Sequence, residues 1–511
     1  MPKIILNNWE RGQEESELKK TEGTYYSAYG IDLYRDKGFL MPSFAQTEIG
    51  GVPYLAAGDL NQRIKDIVPY NGKAYLIGTG DRMYGVSSVS SNDFYLNSAG
   101  FDSGGVGHGY KTIVGTGIAG ESLAIHPTKI SGGDSVNQLF YFYNTSTAGD
   151  IGKYDLTDTF INDWGTNYMT SGVALQKASH PNLAWKTYLY FGNGRYVGRI
   201  DGNTGDNGTL YATAFDLGKN WEVSSLFSTE NYIGICASKT ITLGQFEESA
   251  VFFWDGISNN YTYKIDLRCR KILASGTHLG KTLLILQEEN SRVFYVILSG
   301  TSISEPKYFY QDISGSKKYL ENMEYYKINT FRGKFIVSIG RTIATGVPST
   351  IFYIDVNGIA SVPYLLSSDT AAYPGIAKTV LDGKIYASVQ EPTSDAYRLK
   401  SISTGNGTAV FKDSYTDFGQ KVRLNYIKFY FKPLASGDSV TPTLDLDYGT
   451  SFTLRDPRRN STINYTDDGA ITSKRFDIKK DCHAVRPVLN WTSGKTAFSK
   501  IIIDYDFVED K

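Results

Sequence analysis

Gly280-Lys281-Thr282-Leu283-Leu284-Ile285 is a tight turn followed by an apolar strand, and the phrase returns along the chain. It recurs as Asn71-Gly72-Lys73 into Ala74-Tyr75-Leu76-Ile77, as Gly333-Lys334 into Phe335-Ile336-Val337, and as Asp382-Gly383-Lys384 into Ile385-Tyr386-Ala387. The last three glycines are 53 and 50 residues apart, and Gly72 precedes Gly280 by 208 residues, four steps of 52. Weaker copies fill the gap: Asn137-Gln138 into Leu139-Phe140-Tyr141-Phe142, Trp185-Lys186-Thr187 into Tyr188-Leu189-Tyr190-Phe191, and Asn231 into Tyr232-Ile233-Gly234-Ile235-Cys236. A fixed period near ~40–50 residues is the signature of a β-propeller, whose small sheets stack in a ring because none can bury both faces alone.

A second phrase follows each turn. Lys153-Tyr154-Asp155-Leu156, Arg199-Ile200-Asp201, Lys264-Ile265-Asp266-Leu267 and Tyr353-Ile354-Asp355-Val356 read as the next strand of their units, with Val293-Phe294-Tyr295-Val296 and Tyr397-Arg398-Leu399 in matching slots. The expectation is an all-β chain: a seven-bladed β-propeller, with six to eight blades compatible with the uneven spacing, followed by a small β-sandwich. Composition agrees, with 52 Gly, 38 Tyr and 26 Phe among 511 residues against only 5 Met. Aromatics suit pleated surfaces, and glycine supplies turns with positive φ.

The boundaries expected are an N-terminal arm over 1–37, the propeller over 38–408 and the sandwich over 409–511. The charged stretch from Trp9 to Lys20 reads as a solvated arm or a short surface helix. Part of 38–66 is expected to pair into the last blade, since a free sheet edge invites aggregation. After the Gly/Ser/Thr linker 401–408, strands are expected around Val422–Phe431, Leu444–Tyr448, Arg475–Ile478, Ala484–Trp491 and Ile501–Tyr505.

Lys and Arg number 52 against 53 Asp and Glu, so at a net charge of −1 no basic bulk argues for wrapping nucleic acid. No apolar run approaches the ~18 residues of a membrane span. The N-terminus turns polar too early for a signal peptide, and Cys236, Cys269 and Cys482 are an odd, scattered set. The expectation is synthesis in a reducing cytoplasm without a disulfide framework.

No catalytic, cofactor-binding or metal-ligating residue is assigned. His108, His126, His180, His278 and His483 lack ligand spacing. Cys482-His483 would point to opposite faces of a strand. Asp201, Asn203 and Asp206 lack the remaining carboxylates of a calcium loop and read as a turn held by Asx side chains. Gly104-Gly105-Val106-Gly107-His108-Gly109 has no following helix to hold a phosphate. The Ser-x-Asp-x-Gly-x-x-Trp turn of sialidase-type propellers and the Gly-x-Ser-x-Gly elbow are missing, and the Trp-Asp signature of eukaryotic scaffold repeats does not recur from unit to unit.

Gly30-Ile31-Asp32-Leu33 followed by Gly38-Phe39-Leu40-Met41-Pro42, together with Phe418 to Pro433 and Ile501-Ile502-Ile503-Asp504-Tyr505, resembles virion structural proteins of tailed bacteriophages. The resemblance implies a non-enzymatic tail, nozzle or adsorption component of the virion. It would be made in the host cytoplasm and assembled with other virion proteins and with itself as an oligomer or ring, through a Tyr-rich surface. Two other functions are compatible with the sequence. One is a propeller that recognises host surface glycans by stacking on Tyr84, Tyr95, Tyr110 or Tyr168. The other is a polysaccharide-cleaving enzyme, which demands clustered carboxylates at the axial mouth.

Overall fold

The computed structural model describes residues 2–508 apart from 49–61, 87–107, 320–325, 340–349, 366–372, 403–408 and several shorter stretches. Among the described residues only Trp164–Asn167 and Tyr465–Asp468 are helical, and no helix is long and apolar enough to cross a membrane. Small antiparallel sheets follow one another along the chain, six of four strands and one of five. Their first strands are Ile64–Tyr70, Ala119–Lys129, Asn182–Trp185, Trp221–Ser228, Lys271–His278, Tyr326–Phe331 and Tyr373–Val380. Each of these strands packs beside the next, and Tyr373–Val380 returns to Ile64–Tyr70. The arrangement is a β-propeller.

Each copy of the recurring phrase runs along the second strand of its sheet. These strands are apolar on both faces because each is covered on both sides. Leu284 and Leu286 join Cys236, Val251 and Phe253 of the preceding sheet. Leu283 and Ile285 join Phe335, Val337 and Phe352 of the following one. Alternation along one strand therefore feeds two cores. Two readings need correction. Asn137-Gln138 lies inside the strand Ser135–Asn144, whose turn comes earlier, around Gly133. Lys264-Ile265-Asp266-Leu267 belongs to a fourth strand, Tyr263–Leu267, because Gln245–Trp254 intervenes.

The last sheet takes its outer strand from the N-terminal side, where Gln46, Thr47 and Glu48 pair with Ile402, Ser401 and Lys400. A borrowed strand closes the ring without leaving an edge.

Residues 409–508 form a second unit together with the start of the chain. Its hydrogen bonding links nine strands into one branched sheet. The reason is Ser473–Ser493, a single 21-residue strand. It pairs with Thr416–Phe431 along its first half and with Ser439–Leu446 along its second. Lys3–Asn7 adds to Phe498–Phe507, and Ser27–Tyr29 adds to Ala409–Lys412. Trp9, at the head of the stretch read as a solvated arm, is built into this unit. Trp9 is 2% exposed, edge-on to Phe411 at 5.8 Å, with its Nε1–H directed at Asp413. One apolar core, including Phe429, Phe476, Leu489 and Phe498, holds the sheet together.

The two units meet through residues 30–43. Ile31 bridges Pro42, Asp32 N–H donates to the Met41 carbonyl (3.2 Å), and Ser43 N–H donates to the Gly30 carbonyl (2.7 Å). This clip reaches both ways. Leu40 pairs with Phe498 of the second unit, and Asp32 lies 3.3 Å from Lys334 of the propeller.

Candidate functional site: the axial cavity

The first strands converge on a cavity of about 610 Å³. One first strand slips between Pro374 and Ala377, and in four others a single extra residue is inserted, between Ile64 and Asp66, Gly120 and Ser122, Val223 and Ser225, and Ile272 and Ala274. The extra residues are Lys65, Glu121, Ser224 and Leu273, and all four line the cavity. A bulge leaves one residue out of the ladder and re-aims its side chain, which is what an axial lining requires.

The residue after the bulge fastens neighbouring sheets. Asp66 accepts the Leu123 amide on Oδ2 and the Ile67 amide on Oδ1, both at 2.9 Å. Ser122 Oγ–H donates to the His180 carbonyl (2.5 Å) and accepts the Asn182 amide group (2.9 Å). Ser225 Oγ accepts the Ser275 amide at 3.0 Å. A hydrogen bond to a charged group contributes about 1.5–3 kcal/mol, so the Asp66 contacts weigh most.

Charge gathers where the first strands begin. Lys65 pairs with Glu121 at 2.9 Å, and Asn144 also donates to Glu121 (3.1 Å). Arg63, Glu222, Lys271 and Lys327 complete the described charged lining together with Asp66. Burial pushes the Lys271 ammonium below its ordinary pKa, with Glu222 opposing that shift and Arg270 adding to it. Burial also lowers His180, whose ring lies 2.8 Å from the Gly192 carbonyl.

The residues weighed in the sequence do not converge on this cavity, with the exception of His180. Tyr84 is fully buried. Tyr168 stacks on Trp164 at 5.7 Å, and its hydroxyl accepts from Asn207 (3.3 Å). The Tyr84 ring therefore has no face open to a sugar, whereas Tyr168 is half-buried. Tyr95 and the Tyr110 side chain lie outside the described residues, as do Asp206 and Gly104–Gly107. Asp201 accepts the Asn203 amide (2.9 Å) and the Thr204 hydroxyl (2.8 Å), the contacts of an Asx turn. Cys482 is buried and His483 is exposed, on opposite sides of their strand. No group of His, Cys, Asp and Glu suited to a metal ion occurs among the described residues.

Much of the expected Tyr-rich surface is interior instead. Tyr25, Tyr75, Tyr84, Tyr141, Tyr190, Tyr353, Tyr386 and Tyr415 are among the largest fully buried side chains, whereas Tyr261, Tyr448 and Tyr465 are exposed.

No protein-family model matches the chain, and no curated protein matches it. Among solved structures, Raptor from Chaetomium thermophilum is similar over 67% of this chain and 28% of its own, at 11% identity and a TM-score of 0.41. This chain therefore spans under a third of that one. The designed protein Ika8 is similar over 70% of this chain and 100% of its own (9% identity, TM-score 0.39). An exo-β-1,3-galactanase from Phanerochaete chrysosporium is similar over 66% and 98% (10% identity, TM-score 0.30).

The axial residues lie on the first strands, which carry no recurring phrase like the one that marks the second strands. A polar residue interrupting the strand before each turn, as in Lys65-Asp66 and Glu121-Ser122, was the available signal.

Proposed function

We propose that this protein is a non-enzymatic structural component of a tailed-phage virion, of the tail, nozzle or adsorption type, assembled with other virion proteins and with further copies of itself. The observation that carries this reading is the clip over residues 30–43. The residues bearing the resemblance, Gly30-Ile31-Asp32 and Leu40-Met41-Pro42, are the ones that pair with each other and reach both units. A motif used to lock two units together suits a part that must keep its shape in a particle. We read each propeller sheet as one blade, which makes seven, with the nine-stranded sheet as the second unit.

The state of the axial acids supports the non-enzymatic reading. Asp66 is held by two backbone amides and Glu121 by Lys65 and Asn144. Carboxyl groups in such fixed contacts serve as fasteners between sheets, whereas glycoside hydrolysis needs a pair placed across the scissile bond.

Negative-stain electron microscopy of the purified chain, with its mass measured in the same buffer, tests the proposal. A closed ring with a central opening is expected. A dispersed monomer that also fails to join purified tail components would overturn it.

A further inference from the structure

One edge of the nine-stranded sheet is open. Lys3–Asn7 pairs with Phe498–Phe507 on its inner side, and among the described residues no strand pairs with its outer side. Tyr505 N–H donates to the Pro2 carbonyl at 3.3 Å, which sets the phase of the ladder. Hydrogen-bonded and non-hydrogen-bonded pairs alternate along an antiparallel ladder. Ile4 and Leu6 therefore turn their amides and carbonyls towards Ile503 and Ile501, whereas Lys3, Ile5 and Asn7 turn theirs outward. Exposure agrees, since these three residues face solvent and Ile5 is 52% exposed.

Such an edge is a template for another strand, and folds usually blunt it with a bulge, a proline or an inward charge. Lys3-Ile4-Ile5-Leu6-Asn7 has none of these: Leu6 lies in the apolar core and Ile4 packs against it. Thr450–Thr453, another edge of the same sheet, offers a single apolar side chain, Phe452. The strand Lys3–Asn7 is also complementary to itself. A two-fold axis at Ile5 sets Ile5 against Ile5 of a second copy, and Lys3 against its Asn7, in antiparallel register. These are the residues whose backbone groups point outward, so each pair exchanges two hydrogen bonds. Ile4 then stands opposite Leu6 of the second copy in the closer, non-hydrogen-bonded position, with Cα atoms about 4.5 Å apart. The apolar layer continues from one copy into the next. Lys3, the only charge in the strand, meets a neutral Asn7, so no like charges face each other.

We propose that Lys3–Asn7 docks a second copy of this chain by antiparallel pairing with its own counterpart, about a two-fold axis at Ile5. This goes beyond the assembly role and does not depend on it. An isologous contact joins two copies, or two rings, whereas a ring is closed by heterologous contacts. Five residues a side make a small interface, so the association is weak and reversible.

Sedimentation equilibrium of the untagged full-length protein tests the pairing, over about 1 to 100 μM, the range in which a small interface passes from apart to joined. The mass is expected to double across that range. Ile5→Pro removes an outward N–H and leaves the bonds to Phe498–Phe507 in place, as a proline on an edge strand can. It is expected to weaken pairing by about tenfold or more while the urea midpoint changes little. Ile5→Lys keeps every backbone donor and sets like charges face to face, so the same loss is expected, relieved in part by salt. Ile5→Val is expected to pair as the parent protein does. A mass that stays constant, or doubling undiminished in either Ile5→Pro or Ile5→Lys, would overturn the proposal. A ring that never doubles would remove this pairing and leave the assembly role standing, whereas doubling without any ring would support the pairing alone.

Discussion

The ammonium of Lys334 lies 3.3 Å from Oδ1 of Asp32, and the two side chains are only 11% and 5% exposed. The same ammonium stands 4.9 Å over the ring of Tyr353. Removing one partner of such a pair strands a buried charge, which costs about 3–5 kcal/mol. Asp32→Ala is expected to lose stability on that scale in urea unfolding. Asp32→Leu combined with Lys334→Met is expected to lose less than Asp32→Ala does. A loss in Asp32→Ala below about 1 kcal/mol, the level of an exposed pair, would show that the junction does not rely on this contact.

Gly198 pairs directly with Phe191 across two strands, and a methyl group on Gly198 would overlap the Phe191 ring. Gly152 with Tyr141, and Gly234 with Phe227, repeat the arrangement in neighbouring sheets. Gly198→Ala is expected to destabilise the fold by about 1–3 kcal/mol, the range for overpacking a filled core. Adding Phe191→Leu should recover part of that loss. A thermal-denaturation double-mutant cycle measures it, and strict additivity would refute the steric account.

His126 is 3% exposed, and burial pushes its pKa down to about 4, with Asp201 partly opposing the shift. The unfolded chain therefore takes up this proton first as pH falls. The stabilising contribution is complete above about 6.5 and declines between 6.5 and 4, by up to about 1.4 kcal/mol per pH unit. His180 is lowered in the same direction. Urea unfolding from pH 7.5 to 4 should show a shallower decline in His126→Gln than in the parent protein. Parallel curves would exclude the effect.

Burial pushes the thiols of Cys236, Cys269 and Cys482 up to about 12. The reactive species is the thiolate, so all three should resist aromatic disulfide reagents at pH 8 in the folded protein. Unfolding in urea should release three equivalents. Rapid labelling of any one thiol in native protein would contradict its placement.

The second strands were legible because a strand covered on both faces becomes a continuous apolar run, as in Leu283-Leu284-Ile285-Leu286. The first strands were not, since Lys65, Glu121 and Ser224 face a polar cavity and break the alternation. Ser473–Ser493 read as two strands because Lys479-Lys480-Asp481 falls in its middle. There Lys479 takes φ +54° and its charge stays in solvent while the pairing continues on either side. Trp9 was misread for a different reason. Its partners Phe411 and Asp413 lie some four hundred residues away, and no local period records so distant a contact.

The borrowed strands also set a schedule for the nascent chain. Residues 46–48 wait for 400–402, 27–29 wait for 410–412, and 3–7 wait for 500–504. At ~5–20 residues per second, a ribosome needs on the order of tens of seconds to deliver those partners. The interior sheets can assemble from neighbouring hairpins in the meantime, while the earliest strands stay unpaired near the tunnel exit. These strands are thus synthesised long before they can fold.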